Sequence, residues 1–116
     1  MDNKTNQAIA NHKKFYSCSA SVLCAFADQI GMSQQDAKAA AAPFAGGRMG
    51  KCGAVMAAEY ILEKQFPDSA DEKITEFEDE FIQKNQSLMC SELRGKKLRS
   101  CRGCVTDAAE ILEKLT

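Results

Sequence analysis

The chain has 116 residues, 45% of them hydrophobic and 27% charged, with a formal net charge of -1. That is the composition of one globular domain covering 1–116, large enough to bury a core without disulfides, and a charge so near zero excludes a general pull toward nucleic acid or a membrane surface. The polar start Met1-Asp2-Asn3-Lys4-Thr5-Asn6-Gln7 and the lack of a long apolar run give neither a signal peptide nor a membrane span, so the expected home is cytoplasmic. In such a reducing compartment, six cysteines point to redox chemistry or metal binding rather than to a disulfide framework.

Taken in order, Thr5 to Lys14 forms a short first helix with Ala8 and Ile9 as its apolar contribution. His12, the sole histidine, lies in the polar run Asn11-His12-Lys13-Lys14 and reads as solvent-exposed, because a metal ligand needs a shielded, oriented ring. A second helix runs from Tyr16 or Ser17 to Ile30, carries Cys18, Val22, Leu23, Phe26 and Ile30, and stops at Gly31. Ser33-Gln34-Gln35-Asp36 is a third helix start, continued by the alanines up to Ala42 and ended by Pro43.

The stretch Phe44 to Val55 follows, a glycine-rich loop that ends in a cysteine where helical spacing begins. Gly46, Gly47 and Gly50 let the backbone turn tightly, and Val55, Met56, Tyr60, Leu62 and Phe66 then recur at mostly helical intervals. Cys52 therefore lies at a helix N-terminus. Free backbone N–H groups and the helix dipole stabilise a thiolate there, and Lys51 and Arg48 are expected to add positive charge. Gly50-Lys51 does not make a phosphate-binding loop, since the first glycine of that pattern would fall at Ala45, Cys52 stands for its Ser/Thr, and no strand precedes it.

Ser69-Ala70-Asp71-Glu72 opens the next helix, in which Ile74, Phe77, Phe81, Ile82 and Leu88 make the apolar face while Glu76, Glu78, Asp79, Glu80 and Lys84 make a solvated one. Ser87 to Gly95 offers a turn or a few helical residues around Cys90. A basic connector follows, and the last helix runs from Arg102 or Cys104 to Leu115, burying Val105, Ala108, Ala109, Ile111, Leu112 and Leu115. With no period-2 run of length, the fold is all-α: a compact multi-helix bundle of about five to six helices with a Gly-rich loop at a helix N-terminus. The basic cluster Arg94, Lys96, Lys97, Arg99 and Arg102 lacks interleaved aromatics and any docking motif for nucleic acid, and its place beside Cys90 and Cys101 favours thiolate there.

Cys18, Cys52, Cys90 and Cys101 each fall at or near the start of a helical or turn segment, whereas Cys24 lies in the apolar run Val22-Leu23-Cys24-Ala25-Phe26. Residues six apart point about 240° around a helix from one another, so Cys24 does not share a face with Cys18 and reads as core. Cys101-Arg102-Gly103-Cys104 is a C-x-x-C at a helix entrance, a spacing used by dithiol redox sites and by half of many zinc sites.

The ordered blocks Tyr16-Ser17-Cys18-Ser19, Cys52-Gly53-Ala54, Ser87-Leu88-Met89-Cys90-Ser91-Glu92-Leu93, and Cys101 ahead of Val105 to Leu112 resemble the family labelled redox-active and named for its C, GCAxxG, C and C pattern. The resemblance spans nearly the whole chain. It implies a small helical domain whose signature thiols are Cys18, Cys52, Cys90 and Cys101. The chain departs from the pattern at Lys51, where a glycine is usual, and in the Met56-Ala57 region, and Cys24 and Cys104 are additional. The expected site is thus formed by Cys18, Cys52, Cys90 and either Cys101 or Cys104, meeting between helices. It would cycle between dithiol and disulfide with a redox partner, or hold a metal or iron–sulfur cluster for electron transfer. The competing reading is a non-catalytic interaction module built on a structural four-cysteine zinc site, or on merely buried thiols.

Overall fold

Residues 3–47 and 50–116 are described by the computed structural model. They form seven α-helices and two 3-10 turns, and among them the β structure is one isolated antiparallel bridge between Lys51 and Met89. The all-helical expectation holds, but the expected five to six helices are too few. The segment Cys90–Gly95, read as a turn or a few helical residues, is a short helix of its own.

Local chemistry accounts for most helix starts. Helix α1 (Lys4–Lys13) is capped by Asn3, whose side chain accepts from Asn6 N at 2.7 Å, and α2 (Cys18–Phe26) by Ser17, which accepts from Ala20 N at 3.1 Å. The second helix does not run unbroken to Ile30. It tightens into a 3-10 turn over Ala27–Ile30, where Met32 N reaches back to the Ala27 carbonyl at 2.9 Å, and Gly31 at φ 70 ends it. Ser33 caps α3 (Gln34–Ala41), and a 3-10 turn over Ala42–Gly47 carries Pro43. Arg48, expected to bring charge toward Cys52, lies outside the described residues.

Helix α4 (Gly53–Gln65) begins directly after Cys52, as its loop predicts. Helix α5 (Ala70–Asn85) starts after Ser69 with Asp71 and Glu72 in its first turn, although the Ser69 side chain makes no capping bond. Gln86, at φ 71, closes it, so Leu88 leaves the helical stripe assigned to it. After α6 (Cys90–Gly95), the last helix, α7 (Cys101–Leu115), starts one residue ahead of Arg102, because Ser100 caps it by accepting from Gly103 N at 3.0 Å.

Helix α2 is the centre. All nine of its residues are buried, and it packs against α1, α3, α4 and α7, while α5 closes over α4 and α7. Phe26, Leu23, Ile61, Leu62, Phe77 and Phe81 supply the largest buried side chains. Ala54, Ala57 and Ala58 on α4 and Ala108 and Ala109 on α7 are wholly buried too, and their small side chains let those helices come close. No helix among the described residues is long and apolar enough to cross a membrane.

Two expectations about polar residues change. His12 is half-buried rather than exposed: its Nδ1 accepts from Arg102 Nε at 3.2 Å, and burial followed by the Arg102 charge holds its pKa below the usual range. The acidic face of α5 is not all solvated either, since Glu78 turns to Lys51 and Glu80 pairs with Lys114 at 2.6 Å.

Candidate functional site

Cys52 occupies the N-cap position of α4, with φ -52 and ψ 134. Its backbone is held by a two-bond bracket: Cys52 N donates to Leu88 O at 2.8 Å, and Cys90 N donates to Gly50 O at 3.1 Å. Gly50 sits at φ 93, which a side chain rarely adopts, and a Cβ there would press to 3.3 Å from Met89 Cε. The bracket therefore requires a glycine at this turn. It also ties the segment leading into α6 to the segment leading into α4.

The sulfur thus positioned makes no capping hydrogen bond within α4; the groups that act on it are the Cys104 thiol, one turn into α7, and the backbone N–H groups of Val55 and Ala54 in the first turn of α4. Cys52 is 5% exposed and Cys104 3%. The hydrogen bond from Cys104 is the main reason the Cys52 thiol is lowered to about 7; burial opposes it, and the two backbone N–H groups add to it. The same bond drives Cys104 the other way. It is strongly raised, first by holding the proton shared with Cys52, then by burial and by the negative charges of Cys52, Cys101 and Asp107. One of the two sulfurs is poised as thiolate and the other retains the proton.

The remaining cysteines group around this pair unequally. Cys18, the first residue of α2, places its Sγ where a Cβ on Gly53 would lie only 2.5 Å away, so it packs on the residue next to Cys52. Cys90 is half-buried and joined to the site by its backbone bond to Gly50. Cys101 is half-buried and three residues before Cys104 on the same helix, which puts the two on one face about 5–6 Å apart at Cβ. Of Cys101 and Cys104, Cys104 is the one whose thiol acts on Cys52. All six cysteines are thiols, with no S–S bond among them.

Cys24 lies apart from that group, 3% exposed, with its Sγ 3.8 Å from Gln34 O and its pKa raised chiefly by burial. Cys24→Ala is expected to cost about 1 kcal/mol of stability and to leave the alkylation rate of Cys52 as it is. A folded Cys24→Ala protein that lost Cys52 reactivity at neutral pH would return Cys24 to the site.

Several of the charges expected beside the thiols are engaged with other groups. Lys51 turns away from its neighbour: its Nζ lies 2.7 Å from Glu78 Oε2 and 3.1 Å from Glu59 Oε2. Burial acts to lower the Lys51 ammonium, but hydrogen bonds to Glu78 and Glu59 outweigh it and raise it. Glu59 is raised to about 7, mainly by burial and then by its hydrogen bond to Glu78, which is correspondingly lowered. In the basic connector, Lys96 pairs with Glu92 at 3.6 Å, Arg99 with Asp107 at 3.1 Å, and Arg102 with His12. Among the described residues, the groups that lower Cys52 are a thiol and two backbone N–H groups, and not Lys51.

The reading of the sequence puts Glu78 on a solvated face and passes over Glu59 and Asp107. A signal was present for the latter two. Glu59 falls between Val55 and Leu62, and Asp107 between Cys104 and Ile111, at the three- and four-residue spacings that make an apolar stripe. Asp107 is buried and satisfied by Arg99 and by Asn85 Nδ2 at 3.1 Å. A lone acid on an apolar stripe needs such partners.

For a metal, the donor set falls short. Among the described residues no three His, Cys, Asp or Glu side chains are grouped so as to hold an ion. Cys104 keeps its proton beside Cys52, and metal ligation by both would have to remove it.

No curated protein and no solved structure matches the chain. Residues 16–115 do match a protein family, the one described as "Putative redox-active protein (C_GCAxxG_C_C)". That match takes in every cysteine just placed, from the first residue of α2 to the first turns of α7, and the chain belongs to this family.

Proposed function

We propose that this is a small thiol–disulfide redox protein of a reducing compartment, the cytoplasm, in which Cys52 is the attacking thiolate and Cys104 the sulfur with which it forms a disulfide. The observation that carries the reading is the placement of two buried cysteines from distant parts of the chain, Cys52 at the N-terminus of α4 and Cys104 in the first turn of α7, on helices that pack on each other. The Cys104 thiol lowers Cys52 and is itself raised, so one sulfur favours the thiolate and the other keeps its proton. Oxidation joins the two sulfurs, releasing one proton from Cys104 and two electrons to an acceptor, and reduction reverses this. Cys18 packs on Gly53 beside Cys52, and the Cys90 backbone is bonded to Gly50.

The contact differs from a C-x-x-C dithiol in one respect: the bond would staple α4 to α7, so oxidation changes how two core helices are linked and not only a surface turn. The test is to treat the reduced protein with hydrogen peroxide, which supplies the two-electron oxidant, and to map the product by mass spectrometry of unreduced peptides. A Cys52–Cys104 bond formed in one-to-one yield is expected. Protein purified without oxygen that carries stoichiometric iron or zinc, released when Cys52 or Cys104 is alkylated, would replace this reading by a metal centre.

A further inference from the structure

The Cys52–Cys104 pair is buried, so a reagent larger than peroxide or iodoacetamide must reach it through another group. Cys101 is half-exposed and lines an open cavity of about 400 Å³ together with Lys97, Arg99 and Ser100. Cys104 is the shared neighbour, hydrogen-bonded to Cys52 on one side and one helical turn from Cys101 on the other. The cavity is positive. Lys97 has no ion pair among the described residues, and Arg99 engages Asp107 through Nε and Nη2, leaving Nη1 without a partner among them. The connector that shapes it is held open at a conformational cost, with Lys97 at φ 54 while Leu98 N and Arg99 N both turn back to Leu93 O, at 2.9 and 3.3 Å.

Resting on the dithiol reading above, we propose that Cys101 is the exchange thiol of this protein and that its substrate is a small anionic disulfide bound against Lys97 and Arg99. The Cys101 thiolate attacks one sulfur of the disulfide, forming a mixed disulfide and expelling one substrate thiolate. Cys104 gives its proton to that thiolate and attacks Cys101 Sγ, expelling the second thiolate and forming a Cys101–Cys104 bond. The Cys52 thiolate then attacks Cys104 Sγ, forming the Cys52–Cys104 disulfide and restoring Cys101 as thiolate. Two electrons pass to the substrate, whose halves leave as one thiol and one thiolate. Each sulfur attacks only a neighbour, and the one cysteine between the two ends is the one with two sulfur neighbours.

The probes are glutathione disulfide, which is anionic, and cystamine, which is cationic. In a Cys104→Ser protein the relay stops after its first step, and peptide mapping after glutathione disulfide treatment is expected to find the glutathionyl group on Cys101. In the otherwise unaltered protein, Lys97→Glu is expected to lower the ratio of oxidation rates, glutathione disulfide over cystamine, by about fivefold or more at low salt. An adduct on Cys18, Cys52 or Cys90 instead of Cys101, or a ratio unmoved by Lys97→Glu, would overturn the proposal. The peroxide experiment separates the two readings. Because peroxide can oxidise Cys52 without the cavity, a Cys52–Cys104 bond found there alongside no adduct on Cys101 sinks the relay and leaves the dithiol couple standing.

Discussion

Cys104→Ala is expected to abolish the disulfide of Cys52 and to move the titration midpoint of the Cys52 thiol from about 7 to above about 8.5, the ordinary range for a cysteine. The hydrogen bond from Cys104 is the largest influence lowering Cys52, and once it is gone, burial works against only two backbone N–H groups. At pH 7 the thiolate fraction should then fall from about one half to about one in thirty. Because a thiolate of higher pKa is the better nucleophile, the alkylation rate falls less, about three- to fourfold. Cys104→Ser is the instructive companion. Its hydroxyl still donates, so Cys52 should keep much of its lowered midpoint while losing the disulfide just as completely. Iodoacetamide alkylation followed against pH measures both variants, and a Cys104→Ala midpoint that stayed near that of the unaltered protein would remove Cys104 from the site.

The same shift sets a pH dependence of stability. A thiol whose folded pKa lies below its unfolded value contributes stability that is fully present above the unfolded value, about 8.5, and is lost as pH falls through about 7. Denaturation of the reduced protein should therefore show stability rising between those values. In Cys104→Ala that rise should flatten.

Phe26→Ala should produce the largest loss of stability of any single change considered, about 3–5 kcal/mol. Phe26 is fully buried at the end of α2, the helix on which α1, α3, α4 and α7 all pack. Truncating it opens a cavity at the centre that no single neighbour can fill, and the cost is a large fraction of the roughly 5–15 kcal/mol that holds a domain of this kind together. Helix α2 also carries Cys18 against Gly53, so loosening it should reach the thiol site. Urea unfolding gives the stability and Cys52 alkylation the second effect. A loss below about 1 kcal/mol would mean that the centre can repack and that α2 is not its support.

What the sequence determined by itself is local. Ser33 announces its helix because a serine hydroxyl accepts from the N–H three residues on, and it does so here. Gly31 ends its helix because a glycine takes positive φ freely. Cys52 at a helix start and Cys24 in the core follow from spacing alone, since both are questions of which face of one helix a residue occupies.

Tertiary structure decided the pairing. Whether Cys101 or Cys104 meets Cys52 depends on the rotation of α7 against α4, and the apolar stripe of Val105, Ala108, Ile111 and Leu112 fixes that rotation only when the partner helices are in place. Lys51 looked like a charge for Cys52 because the two are adjacent in the chain. Only the packing of α5 on α4 brings Glu78 next to Glu59, and that carboxyl pair draws the ammonium away. Side-chain charges act across space, and the distances that rank them exist only once the helices have packed.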